Sequence, residues 1–242
     1  MMGPASDRGV NARALEELFA RSDGRRGEID DAITLSILEI YNEQIRDLLV
    51  SEANGDHRRK LEVRQGDRGN TVPGLTTVAV SGLTEVLMML STADKNRASA
   101  CTNLNHHSSR RQVVNPHLIM SVNVEGVNRH TGFTFHGRLH LIDLAGSERI
   151  SKSGAEGQSL REAQNINKSL SALGDVIAAR ASRRAHVPYR NSTLTYLLQD
   201  SLNADSKTLM LVCISPVISN SEESFCSLNF ASRVRTVELG KV

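Results

Sequence analysis

The chain has 242 residues, 39% hydrophobic and 23% charged, with a formal net charge of +2. That balance fits one large globular domain and excludes a disordered or membrane-embedded chain. It also leaves any attraction to an acidic partner to local clusters of charge, with no nucleic-acid partner expected. Aromatic residues make up only 3%, with no Trp, so the core must be aliphatic. Cys101, Cys213 and Cys226 are odd in number and match neither a disulfide framework nor a metal-ligand spacing, which points to a reducing compartment. The opening residues hold no apolar leader core, and no apolar run approaches the roughly eighteen residues of a membrane span.

In chain order, residues 11–22 place Ala14, Leu15, Leu18 and Phe19 on one helical face. Residues 32–41 are rich in Ile and Leu and predict a buried strand. Residues 42–49 predict a short helix capped by Asn42. Short strands follow at 61–64 and 76–80, then a helix from Ser81 to about residue 98 with Leu83, Val86, Leu87 and Leu90 inward. Residues 117–124 alternate as a half-buried strand, and 133–143 form the second arm of a hairpin. A glycine- and serine-rich loop spans 147–158. Leu160, Ala163, Ile166, Leu170, Leu173 and Ile177 then mark a long amphipathic helix with Asn165, Lys168 and Asp175 on its other face. After a basic connection at 180–190, Asn191 caps a helix to about residue 202. A strand is expected at 207–214 and a last helix at 221–237. Strands alternating with helices predict an α/β layered fold in a single domain over 1–242.

The stretch Leu139-His-Leu-Ile-Asp-Leu-Ala-Gly-Ser-Glu148 carries the chemistry. An apolar strand ends on Asp143, which suits an acid held near a metal-bound phosphate. The Ala-Gly turn after it lets backbone N–H groups approach a phosphate without a side chain in the way. Asp also ends strands for turn reasons, so its neighbours decide. Just before the hairpin lies Asn105-His-His-Ser-Ser-Arg110. Its serines can offer hydroxyls to a metal ion and a phosphate oxygen, and Arg110 can pair with Glu148. Two loops ordered by one ligand would form a phosphate sensor. A solvated serine-rich turn is the plain alternative.

These two stretches, with Asn165-Ile-Asn-Lys-Ser-Leu-Ser-Ala-Leu-Gly174 and His186-Val-Pro-Tyr-Arg-Asn-Ser192, occur in one order that closely resembles the kinesin motor domain. The ending from Val234 to Lys241 resembles the C-terminal-motor, minus-end-directed kinesins. The resemblance implies the layered fold of P-loop NTPases, a mostly β central sheet flanked by helices. It implies ATP with Mg2+ as cofactor and microtubules as partner. Ser108, Ser109 and Arg110 match switch I, while Asp143, Gly146 and Glu148 match switch II. Arg110 and Glu148 would form the catalytic bridge, Ser108, Ser109, Asp143 and Gly146 would face the nucleotide, and the metal would be met by Ser109 and indirectly by Asp143. Lys152, Lys168, Arg180 and Arg190 would face tubulin, whose acidic surface makes such binding salt-sensitive. The family's setting is the cytoplasm, on the microtubule cytoskeleton, with oligomerisation through a stalk outside this chain.

Three departures matter. No Gly-x-x-x-x-Gly-Lys-[Ser/Thr] sequence occurs in the chain. The expectation is a motor domain without its first third, with the edges of strands beside the absent central strand left open, and with impaired or no ATPase. In switch I, the family serine before the histidine is replaced by Arg111 to Pro116 if His117 holds the histidine's place, and Asn115-Pro116 favours a looped-out turn. Thr193 stands where lysine is usual in a tubulin-contacting helix. The alternatives are a non-catalytic microtubule-binding or regulatory fragment, and a small GTPase-like switch that gives the segments 165–174 and 186–192 no reason to exist.

Overall fold

The computed structural model describes residues 3, 6–50, 60–105, 116–146, 158–203 and 206–237, with backbone alone at 99–105, 158–163 and 166. After α1 (Val10–Gly24) comes the longest strand, β1 (Ile29–Tyr41), whose fully buried Leu35 and Ile37 meet α1 and α2 (Leu83–Asn105). On the opposite face, Leu38 and Ile40 pack against Leu194 and Leu197. One strand thus anchors two cores, as its two-residue side-chain period allows.

The remaining strands are β2 (Gln44–Asp47), β3 (Arg64–Gly66), β4 (Gly69–Thr71), β5 (Val78–Ala79), β6 (His117–Asn128) and β7 (Thr134–Asp143). The main sheet has the order β2-β1-β6-β7, all antiparallel. β6 pairs β1 from Ile29 to Ile40, so β2 and the short β5 share the other edge of β1. β3 and β4 form a separate hairpin. Gly69 at its tip has φ 97°, and a Cβ there would run into the Asp200 carboxylate, so only glycine fits. The later helices are α3 (Gln158–Ala181), α4 (Thr193–Leu197) and α5 (Ser221–Arg235).

Several expected elements change. Residues 42–49 form a hairpin and the strand β2, not a helix. Asn42 and Glu43 both have positive φ, 50° and 61°, the two-residue turn whose twist suits antiparallel strands. Asn tolerates that conformation, while Glu43 is held there by α4. Its Oε2 accepts the Thr193 N–H at 2.6 Å, and its carbonyl accepts from Thr193 Oγ1 at 2.8 Å. In α2 the buried face is Val86 and Ala93 with Leu83, Met89 and Leu90 beside them, whereas Leu87 is exposed. The cap of α4 is Ser192, not Asn191: its Oγ accepts from Thr195 N–H at 3.1 Å in a capping box. Residues 207–214 join no ladder among the described residues. Their apolar side chains had the strand signature, but a strand exists only through a neighbour's hydrogen bonds.

Candidate functional site

Antiparallel pairing of β7 with β6 sets Asp143 opposite Leu118, so the end of β7 lies beside the start of β6. Asp143 is exposed there, followed by Leu144, a buried Ala145 and an exposed Gly146. The turn is fixed by His117. The Ala145 N–H donates to His117 Nδ1 at 3.0 Å, and His117 Nε2 lies 2.7 Å from Ser169 Oγ on α3. An Nδ1 that accepts carries no hydrogen, so in the neutral ring Nε2–H donates to Ser169. His117 is 1% exposed, and burial pushes its pKa down to about 4, which keeps the ring neutral near pH 7.

Ser108, Ser109, Arg110, Glu148 and Lys152 lie outside the described residues, as do residues 111–115 of the switch I extension. Pro116 is described and buried beside His117. The residues in view fit one edge of a metal-bound nucleotide: an exposed carboxylate at a strand end and the turn residue Gly146. They do not make a complete cradle. No group of three His, Cys, Asp or Glu gathers among the described residues, and the Ala145 amide is already committed to His117.

A second feature lies across α3. A cavity of about 1050 Å³ is walled by β2, residues 60–63, Lys168 and residues 190–196. Its acids are engaged internally. Glu39 meets Arg46 at 3.3 Å and Arg97 at 3.8 Å; burial pushes its carboxyl up, against the pull of those two arginines. Asp47 accepts the N–H groups of Leu49 and Thr76, Glu43 that of Thr193, and Glu62 pairs with Lys60 at 2.9 Å. Lys168 and Arg190 on the same wall are exposed and have no acid partner among the described residues. Arg190 lies over the Tyr196 ring, 5.3 Å from its centre. Arg180 lines a different, apolar cavity with Val176, Ile177 and Val234, and it hydrogen-bonds Tyr189. The structure therefore brings Lys168 and Arg190 together and sets Arg180 apart.

Sequence reasoning missed two contributors. His117 was read only as a marker of loop length; a histidine opening an alternating strand was its single signal. Asn42 was read as a cap, yet its Oδ1 accepts from Asn165 Nδ2 at 3.2 Å, tying the hairpin turn to α3.

The family model for the kinesin motor domain matches residues 1–237. Kinesin-like protein KIN-14R of Oryza sativa subsp. japonica is 52% identical over 243 residues, covering 100% of this chain and 24% of the relative. The motor domain of Kar3, a kinesin-related protein of Saccharomyces cerevisiae, matches with a TM-score of 0.78 at 41% identity, covering 97% of this chain and 69% of that one. A KIF14 dimer with two heads bound, in complex with a microtubule and AMP-PNP, matches with a TM-score of 0.84 at 36% identity, covering 100% and 69%. The chain thus spans about a quarter of the length of the curated relatives it matches. With its sheet, its strand-end turn and its long helix matched throughout, the chain belongs to the kinesin motor domain family, and its relatives there are the KIN-14, Kar3-like kinesins.

Proposed function

We propose that the chain is the microtubule-binding and nucleotide-sensing part of a motor that couples ATP hydrolysis to movement along microtubules. The observation that carries this reading is the wall on which Lys168 and Arg190 stand without acid partners while every neighbouring acid is engaged. Uncompensated cations on one face suit an acidic surface such as tubulin despite a net charge of only +2. Lys152 and Arg180 extend the same role, and the protein works on microtubules in the cytoplasm. Oligomerisation belongs to a stalk outside these residues.

ATP with Mg2+ would supply the charge that orders the sensor. Asp143 would meet the metal through water, Gly146 would offer its amide to the terminal phosphate, and Ser108 and Ser109 would complete that side. Arg110 and Glu148 would close it as a bridged pair. The 242 residues alone hydrolyse ATP slowly or not at all, because their sequence holds no phosphate-cradling Gly-x-x-x-x-Gly-Lys loop. That same gap favours the second reading, a microtubule-binding fragment without turnover.

Cosedimentation separates these readings. Lys168→Ala and Arg190→Ala should each weaken microtubule affinity by about fivefold at low salt, with the difference shrinking as salt rises. Unchanged affinity in both variants removes the binding face. Affinity that differs between ADP and AMP-PNP supports nucleotide sensing, whereas equal affinities favour the fragment. Microtubule-stimulated ATPase from the purified 242-residue chain would overturn the statement about turnover.

A further inference from the structure

The bridge Ala145–His117–Ser169 does more than bury a histidine well. Ala145 precedes Gly146, the glycine whose amide is assigned to the phosphate. Ser169 follows Lys168, the exposed cation assigned to tubulin. One imidazole therefore joins residues adjacent in sequence to each half of the proposed machinery, through bonds of 3.0 Å and 2.7 Å.

Both ends of the bridge are buried: Ala145 is 5% exposed, Ser169 2% and His117 1%. Water cannot readily substitute for either bond, so a movement of the turn must either break a buried hydrogen bond or carry the imidazole with it. His117 is itself fixed, as the first residue of β6, paired opposite Ile40 of β1. Its ring can pivot between turn and helix, while its backbone belongs to the sheet. The neutral ring is the only form that can accept at Nδ1 and donate at Nε2 together, and burial maintains that form.

We propose that His117 is a positioning residue, a pin that sets the turn bearing Gly146 against helix α3 and transmits a displacement of that turn to the face carrying Lys168. This rests on the motor reading above. The coupling acts through Ser169: a rearrangement of the Ala145–Gly146 backbone on ligand binding shifts the acceptor geometry at Nδ1. The opposite nitrogen then draws or releases α3. In a buried, close-packed site such a link has two discrete arrangements and no continuum between them.

The test uses the whole chain with Ser169→Ala, which removes the hydroxyl and leaves His117, Gly146, Lys168 and Arg190 in place. Ser169→Thr restores the hydroxyl. Amide hydrogen exchange at Ala145 is the first readout. The pin requires Ser169→Ala to speed that exchange about fivefold, without matching acceleration at β1 amides, and Ser169→Thr to slow it again. The second readout is the ratio of microtubule affinities with AMP-PNP and with ADP, which Ser169→Ala should bring toward one. Unchanged exchange at Ala145, acceleration shared by β1, or a wild-type affinity ratio in Ser169→Ala each overturns the proposal. If the wild-type chain binds no microtubules, the motor reading fails, while the exchange readout still judges the pin.

Discussion

Two flanks of the molecule treat their exposed groups in opposite ways. Around α4, polar groups are answered close at hand: Ser192 and Thr195 cap each other, Glu43 holds the first amide of the helix, and Asn70 Nδ2 donates to the Tyr196 carbonyl. Along β7, residues 207–217 and α5, apolar groups face outward. Leu209 is 80% exposed, Ile218 89% and Phe225 66%, and α5 has no buried residue. Among the described residues β7 pairs only with β6, so its other edge meets no strand. The first flank is specified by contacts the chain makes with itself. The second has strand and helix character whose apolar side no described residue covers, so stability and solubility should respond to different flanks.

The largest effect is expected where β1 meets the helices. Ile37 is fully buried between α1 and α2, and Ile37→Ala removes methyl groups from a site that can only partly collapse. The expected loss is about 3 kcal/mol, read as a lower denaturation midpoint. A loss below 1 kcal/mol would mean that this flank is not the better packed one.

Next is acid. His117 and His140 both have pKa values lowered to about 4, His117 by burial and His140 by burial first and then by Arg138. Both titrate near 6.5 when unfolded, so the unfolded chain binds more protons between pH 6.5 and 4. Their contribution is fully present above pH 6.5 and is lost as pH falls through that window. Each should cost about 2 kcal/mol between pH 7 and pH 5. Denaturation at several pH values checks this, and His140→Gln should remove about half of the slope. Since His117 joins the turn to α3, acid should loosen the proposed sensor before it affects β1.

The cap on α4 is smaller. Ser192→Ala removes the acceptor for Thr195 N–H and should cost about 1 kcal/mol by thermal denaturation. Because Thr193 is bonded to Glu43, the hairpin turn should loosen with it, seen as faster exchange at Gln44.

The long-period signals were readable in the sequence. Leu173 and Ile177 on α3, the alternation of β6 and the hairpin into Asp143 all follow from apolar spacing that tertiary contacts left intact. Asn42 and Glu43 were not readable in the same way. Helix and hairpin compete over those residues, and the deciding term is Thr193, 150 residues later. The expected strand at 207–214 failed for a related reason, since apolar alternation specifies a face but not a neighbour. For the site, motif order named Asp143, Gly146, Lys168 and Arg190. It could not show that Arg180 turns to another cavity, which depends on Tyr189, or that Ser169 receives His117, since neither partner is set by local spacing.

The smallest folding effect is expected on the open flank, and it sharpens the contrast most. Leu209→Ser and Ile218→Ser exchange large exposed apolar groups for hydroxyls that water can solvate. Neither side chain lies in either core, so each should change the denaturation midpoint by less than about 0.5 kcal/mol. Their effect should fall on association. Contiguous exposed apolar surface beside a bare strand edge favours pairing between chains, so the double variant should stay monomeric at concentrations where the parent self-associates. Light scattering across a concentration series reads this directly. Equal association in both would assign the contact to the backbone edge of β7. An Arg138→Pro change there removes an amide from the edge strand and should then reduce association where the serines did not.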